Sequence, residues 1–346
     1  MAIDFPSSPT VGQLYVFGGV TYVFTASGVW STSGAGLSVI PLGTWTPQGR
    51  LTLQTNVPVM TTTVSSMSGV LYTPYAGNQI PLFDGSINFV MTPFTVLTNF
   101  TTNSSLGNAG PAAVAANSVY DLFVWSNAGV VTLTRGPAWT NDTTRSAGTA
   151  LFMINGILLN NAAITNGPAA QRGTYVGTIR SNASAQLDWV LGSSAAGGGA
   201  AFLGVWNCYN RVDIATTVQD ATASETVGAI VTRPFFNSTN NRVSAVFGLA
   251  EDAIFAFAQS KIFSPTSYAE VGIGFNSITA MSGLHTGIHS GSGSGIWCHA
   301  DGRYATVALG FNFWQMMIST GATDVQIAGV WSAIDAASGM EFRGRM

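Results

Sequence analysis

The sequence predicts an all-β protein, a short N-terminal β-hairpin module followed by β-sandwich or jelly-roll-like domains. Runs of Val, Ile, Thr, Tyr, Phe and Trp alternate with polar residues along most of the chain, which is the period of a half-buried strand. Asn-Gly, Asp-Gly and Ser-Gly pairs punctuate those runs where a tight turn needs left-handed backbone. The length, 346 residues, exceeds the roughly 250–300 residues at which a single core stops growing. We therefore expect a module over 1–45, a first β domain over 46–204 and a sandwich or jelly-roll-like domain over 205–346.

In the module, Tyr15, Phe17, Tyr22 and Phe24 supply an aromatic face, Gly18-Gly19 the turn, and Trp30 closes it. So small a β unit must dock on something to be stable. The clearest hairpin is Val119 to Thr134, with its turn at Ser126-Asn127-Ala128-Gly129 and Gly129 free to take the left-handed conformation. A second meander runs from Val243 to Leu249, Ala253 to Phe263 and Tyr268 to Asn276. A helix over Glu251–Lys261 is the alternative, but β-branched and aromatic content and the flanking strands favour a strand. Tyr304 to Ser319 reads as a central strand whose alternation breaks near Trp314-Gln315, a place for a β-bulge. Val325 to Ile334 follows as a strand, and Gly339 to Met346 carries no assignment. Gly192–Gly199 and Ser282–Gly295 read as connections, the second as an exposed loop or tip.

Composition narrows the function classes. Only 8% of residues are charged and 47% are hydrophobic, against roughly 25% charged in typical soluble domains. No run approaches the roughly 18 uncharged apolar residues of a membrane span, so no membrane insertion is expected. The deficit of charge is instead met by burying surface against sister subunits, with Thr, Ser, Asn and Gly on the solvated remainder. That pattern motivates a homo-oligomer, read here as a trimer. With a net charge of -3 and Lys261 as the only lysine, no basic patch exists to displace counterions from a nucleic acid. The opening MAIDFPSSPT lacks the basic and apolar regions of a secretory signal.

Chemistry-bearing residues are sparse. All three histidines, His285, His289 and His299, fall close together with Cys298 and Asp301. Neutral imidazoles are good ligands for divalent metals, but glycines through this stretch remove the helical geometry that would bring His285 and His289 onto one face. No metal or other cofactor is assigned. Trp297, Tyr304 and Trp314 could stack on sugar rings or pack in the core. We take His285, His289, Trp297, His299 and Tyr304 as the candidate binding set. Cys208 and Cys298 match neither a redox nor a zinc spacing and read as buried thiols, with a disulfide left open. No catalytic residues are assigned and no enzyme activity is expected. Glu225, Glu251, Asp252 and Glu270 are the acids that a glycoside-cleaving site would need to pair across a cleft, and nothing in the sequence pairs them.

Two resemblances point to a setting. Ile3-Asp4-Phe5-Pro6, Pro9-Thr10-Val11-Gly12-Gln13, Tyr15 to Tyr22 and Gly28-Val29-Trp30 resemble a short module near the start of many bacteriophage tail and fibre proteins. Gly49-Arg50-Leu51-Thr52-Leu53, Tyr72-Thr73-Pro74-Tyr75, Ile80 to Gly85, Tyr120 to Val124 and Trp206 to Val212 resemble a family of phage and prophage virion proteins. The resemblance implies a structural virion component without catalytic residues: a tail fibre or receptor-binding appendage attached to other virion proteins by its N-terminal module and facing a host surface glycan or protein. The alternatives are a capsid or collar decoration or head fibre on the same fold, and a polysaccharide depolymerase.

Overall fold

The computed structural model describes residues 5–17, 20–32, 46–86, 88–102, 110–192, 199–264, 268–288, 292–304, 307–321, 323–329 and 338–346. The chain divides into two compact units, Met1–Trp45 and Thr46–Met346. Regular structure among the described residues is β, apart from two three-residue 3-10 turns. No helix among them is long and apolar enough to cross a membrane.

The first unit is a three-stranded antiparallel meander, Leu14–Phe17, Val20–Phe24 and Trp30–Thr32. Tyr15 pairs with Tyr22, and Phe24 with Trp30, so alternate aromatics share a face. Phe5 completes the cluster, stacking on Trp30 at 5.1 Å and meeting Tyr22 edge-on at 5.1 Å. Leu14 and Val16 alternate with Tyr15 along the same strand and therefore point to the opposite side, where they are 63% and 64% exposed.

In the second unit the hairpin Val119–Asn127 and Val130–Ala138 forms as expected. Its two-residue turn has Ala128 at φ 48° and Gly129 at φ 90°, the doubly left-handed geometry that matches strand twist. This hairpin joins Thr174–Arg180, Ile157–Asn160 and Leu151–Ile154 in a sheet that also receives Val205–Asn207. The boundary expected at 204/205 falls inside this unit. Val205–Asn207 pairs back onto Thr174–Arg180, while Ala201–Leu203 runs parallel to Arg242–Phe247. The backbone hydrogen bonds of both strands tie the two sides of that boundary together.

The largest sheet carries the strand order 213–218, 339–345, 254–264, 292–304, 282–288, 269–275, 310–320, 242–247, 201–203, 187–190 and 64–67. Strand Ile254–Ser264 replaces the helix alternative; Ile254, Ala256, Ala258, Ser260 and Ile262 are buried while their neighbours are half-buried. The sheet turns back on itself as a sandwich, because Trp314 and Phe342, on strands far apart in that order, bring their rings to 4.9 Å.

Three sequence expectations need correction, and one unassigned segment gains a structure. The central strand is Gly310–Thr320, not one that starts at Tyr304; Tyr304 instead ends the preceding strand, Ser292–Tyr304. No bulge occurs at Trp314-Gln315, since the strand keeps register with both Arg242–Phe247 and Ala269–Phe275. The alternation breaks there because both faces are covered: Trp314 enters the sandwich core, and the Gln315 amide donates to the carbonyls of Ser238 and Asn241. Residues 282–295 are strand rather than loop over Ser282–Ile288 and from Ser292 onward. Gly339–Arg345 is a strand held between Asp213–Val218 and Ile254–Ser264. The strand expected over Val325 to Ile334 forms as Val325–Ala328, and residues 330–337, like most of Gly192–Gly199, lie outside the described residues.

Candidate functional site

Of the candidate binding set, His285 lies on the strand Ser282–Ile288 and Trp297, His299 and Tyr304 on the strand Ser292–Tyr304; the two strands pair Leu284 with Asp301 and His285 with Ala300. Thr286 reinforces the pairing: its hydroxyl accepts from the His299 backbone N–H at 2.7 Å and donates to the His299 carbonyl at 2.5 Å. Strand periodicity then separates the residues that the sequence groups. Cys298 is buried and His299 exposed, because consecutive side chains point to opposite faces.

His285 and His299 do not converge. His285 places Nε2 3.4 Å from Glu270 Oε2, whereas the His299 ring stacks on Phe257 at 5.6 Å with an interplanar angle of 22°. No three His, Cys, Asp or Glu side chains among the described residues come together as a metal site. Trp297 is half-buried and lies opposite Lys261. Trp314, considered for sugar stacking, is fully buried in the core. His289 and the Tyr304 side chain lie outside the described residues.

Cys208 and Cys298 are both free and buried. Burial pushes the Cys208 thiol up to about 12 and the Cys298 thiol up to about 11, so neither is a ready nucleophile at neutral pH. Three of the four acids considered for glycoside cleavage lie against an arginine. Glu225 meets Arg233 at 2.6 Å, and Glu251 meets Arg211 at 2.5 Å while Asp252 binds the same guanidinium. Burial disfavours the Arg211 cation, but bonds and charge from Asp252 and Glu251 outweigh it and raise its pKa.

A feature that sequence reasoning missed lies beside His299. Thr217, Gln219, Phe257, Gln259, Gly339 and Glu341 line an open groove of about 380 Å³. Register explains it: Thr217 pairs with Glu341 and Glu341 with Phe257, while Gln259 pairs with both Gly339 and His299. Directly opposed residues share a face, so this row stands together on the outer side of the sheet. At Gly339 the backbone of Val218 comes close, since a Cβ there would lie 2.7 Å from the Val218 carbonyl oxygen. The signal was present in the alternation of Met340, Phe342 and Gly344 with Glu341, Arg343 and Arg345, which reads as a strand once the tail is paired.

No protein-family model and no curated protein matches this chain.

Proposed function

We propose that this chain is a non-enzymatic structural component of a bacteriophage virion, a tail fibre or receptor-binding appendage. It assembles as a homotrimer, joins other virion proteins through residues 1–45 and turns residues 205–346 toward the host surface. The observation that carries the reading is the two-faced N-terminal meander. One face closes on itself through Phe5, Tyr15, Tyr22 and Trp30. The other offers Leu14 and Val16 to solvent, and exposed apolar residues grouped on so small a unit mark a docking face.

Three further features support this reading. The segments quoted above resemble phage tail and virion proteins. With charged residues at 8% of the chain, assembly is the simplest way to keep so uncharged a surface from water. The ion pairs of Glu225, Glu251 and Asp252 with arginines argue against a hydrolytic pair, which needs one carboxyl free to carry a proton.

The test is immunogold labelling of intact phage particles with antibodies raised against residues 205–346. Label on the tail or its appendages is expected. Label on the head or collar would replace the appendage with a decoration role, and unlabelled particles would overturn the reading.

A further inference from the structure

One exposed cation of this protein stands without an acid. The exposed arginines among the described residues are Arg172, Arg343 and Arg345. Arg343 lies 2.6 Å from Glu341 and Arg345 lies 3.7 Å from Asp213, but Arg172 pairs with no acid among the described residues. Its side chain is nevertheless pinned. Nη1 donates to the Asp84 carbonyl, and the guanidinium rests on Gly85, where a Cβ would lie 1.8 Å from Nη1. Gly85 also takes φ 85°, so the backbone conformation and the close approach both call for glycine. The Asp84 carboxylate leaves the cation uncompensated, because it accepts instead from Ser86 and Asn88. With Nη1 engaged, the Nε–Nη2 edge of Arg172 makes no bond to a described residue. That edge is the two-pronged donor that matches a carboxylate.

Arg172 lines an open pocket of about 420 Å³, within the roughly 300–1,000 Å³ of small-ligand sites. Strand register builds it. Val124 pairs with Thr174, and Trp125 and Ser126 continue past that pair. The Thr174 hydroxyl donates to the Pro81 carbonyl at 2.5 Å, which fastens the hairpin Gln79–Phe83 and Phe89–Pro93 alongside. Phe83 and Trp125, both buried, supply apolar lining. The Trp125 indole N–H is already given to the Thr134 hydroxyl at 2.9 Å. Asn160 holds the wall that carries Arg172: its amide donates to the Ala169 carbonyl at 2.8 Å and accepts from the Gly173 N–H at 2.7 Å.

This lining selects among anions. A phosphate monoester carries close to two negative charges at neutral pH, and the pocket offers one cation. No acid lines it, so a free amino acid would leave its ammonium group unmet. Ser126 and Gln171 add a hydroxyl and an amide, which both donate and accept, as sugar hydroxyls require. One fixed fork, an apolar lining and two adaptable polar groups suit a sugar ring that bears a single carboxylate.

We infer that this pocket binds a sugar acid, a hexuronate or a sialic-acid-type ring, with Arg172 gripping the carboxylate through Nε and Nη2. The site lies outside residues 205–346, and the inference does not rest on the virion reading.

The experiment is saturation-transfer NMR with calorimetric titration of the full chain. The probes are the methyl glycosides of glucuronic, galacturonic and N-acetylneuraminic acids. Methyl glucoside, methyl galactoside, glucose 6-phosphate and acetyl-tetraalanine with a free carboxylate are the comparisons. At least one sugar acid is expected to bind more tightly than all four comparisons. Arg172→Gln should lower its affinity at least about tenfold, the loss of a charge-assisted pair of hydrogen bonds. Arg172→Lys, which keeps the charge and loses the fork, should also bind more weakly than the wild type. Because Arg172 is exposed, both variants should melt at the wild-type temperature. Binding by none of the sugar acids would overturn the inference, as would affinity that Arg172→Gln leaves unchanged. Equal binding of the neutral glycosides would show that the carboxylate is not what is recognised. Preference for glucose 6-phosphate or for the peptide would replace the sugar acid with a phosphate ester or a chain-terminal carboxylate.

Discussion

Trp314 and Phe342 lie with ring centroids 4.9 Å apart and planes inclined at 47°, although 27 residues separate them and their strands occupy distant places in the sheet order. The contact joins the two layers of the sandwich. Trp314 also touches Phe247 and Phe275, so one indole gathers three strands. The same strand, Gly339–Arg345, presents Glu341 to the groove on its outer face, and the packing of Phe342 thereby fixes the position of a groove residue.

Replacing Trp314 with Ala is expected to cost about 3–5 kcal/mol, the usual range for removing a large buried aromatic. Urea unfolding measures it. A loss below about 1 kcal/mol would mean that the indole is not the centre of the core.

A second prediction concerns the ion pair buried in the other sheet. Asp121 is held by Arg145 at 2.9 Å and accepts from the Thr178 hydroxyl at 2.7 Å, while Arg145 lies over the Trp139 ring at 4.3 Å. Burial disfavours the Arg145 cation, but the charge and hydrogen bonding of Asp121 outweigh this and raise its pKa. Asp121→Ala leaves that cation uncompensated and should cost about 3–5 kcal/mol. Adding Arg145→Met should recover part of the loss. A double variant no more stable than Asp121→Ala would contradict the coupling.

The turn Ala128-Gly129 offers a gain. Ala128 sits at φ 48°, where a Cβ is strained, so Ala128→Gly should stabilise by about 0.4–1 kcal/mol. Gly129→Ala should destabilise through backbone strain alone, because nothing lies within 4 Å of a Cβ at that position. Thermal melting of both variants checks the opposite signs.

Alkaline pH should weaken the fold in a window set by the thiols. Burial raises Cys208 from an ordinary 9.0 to about 12 and Cys298 to about 11. The folded state therefore keeps protons that the unfolded chain releases. The associated stability is complete below pH 9 and declines as pH rises toward the folded values. Arg50 and Arg135, lowered by burial to about 10, act in the opposite sense only above that value. The slope between pH 9 and 10 thus reports chiefly on the thiols. Unfolding midpoints should fall over this interval, and Cys208→Ala should flatten the fall; an unchanged slope in that variant would contradict it.

Much of the architecture was legible in the sequence. Alternation and turn chemistry gave the Val119–Ala138 hairpin, the strand Ile254–Ser264 and the all-β class. The errors share a physical cause. Periodicity describes a strand with one wet face, so it failed at Trp314-Gln315, where the Gln315 amide is buried against backbone carbonyls. The glycines of 282–295 resemble a flexible loop, but strand pairing and the Thr286 bonds to His299 hold much of that stretch extended. The candidate site was less legible. Closeness in sequence grouped Cys298 with His299, which the strand sends to opposite faces. The groove draws Thr217, Gln219, Phe257, Gln259 and Glu341 from three separated segments, a grouping that only strand register reveals.

The most direct test of the central claim is the composition of purified phage particles made from the genome that encodes the chain, after washing in high salt. The account predicts that this 36.0 kDa chain stays with the particles at a fixed copy number divisible by three. A solitary soluble protein, left in the lysate and missing from the washed particles, would contradict it.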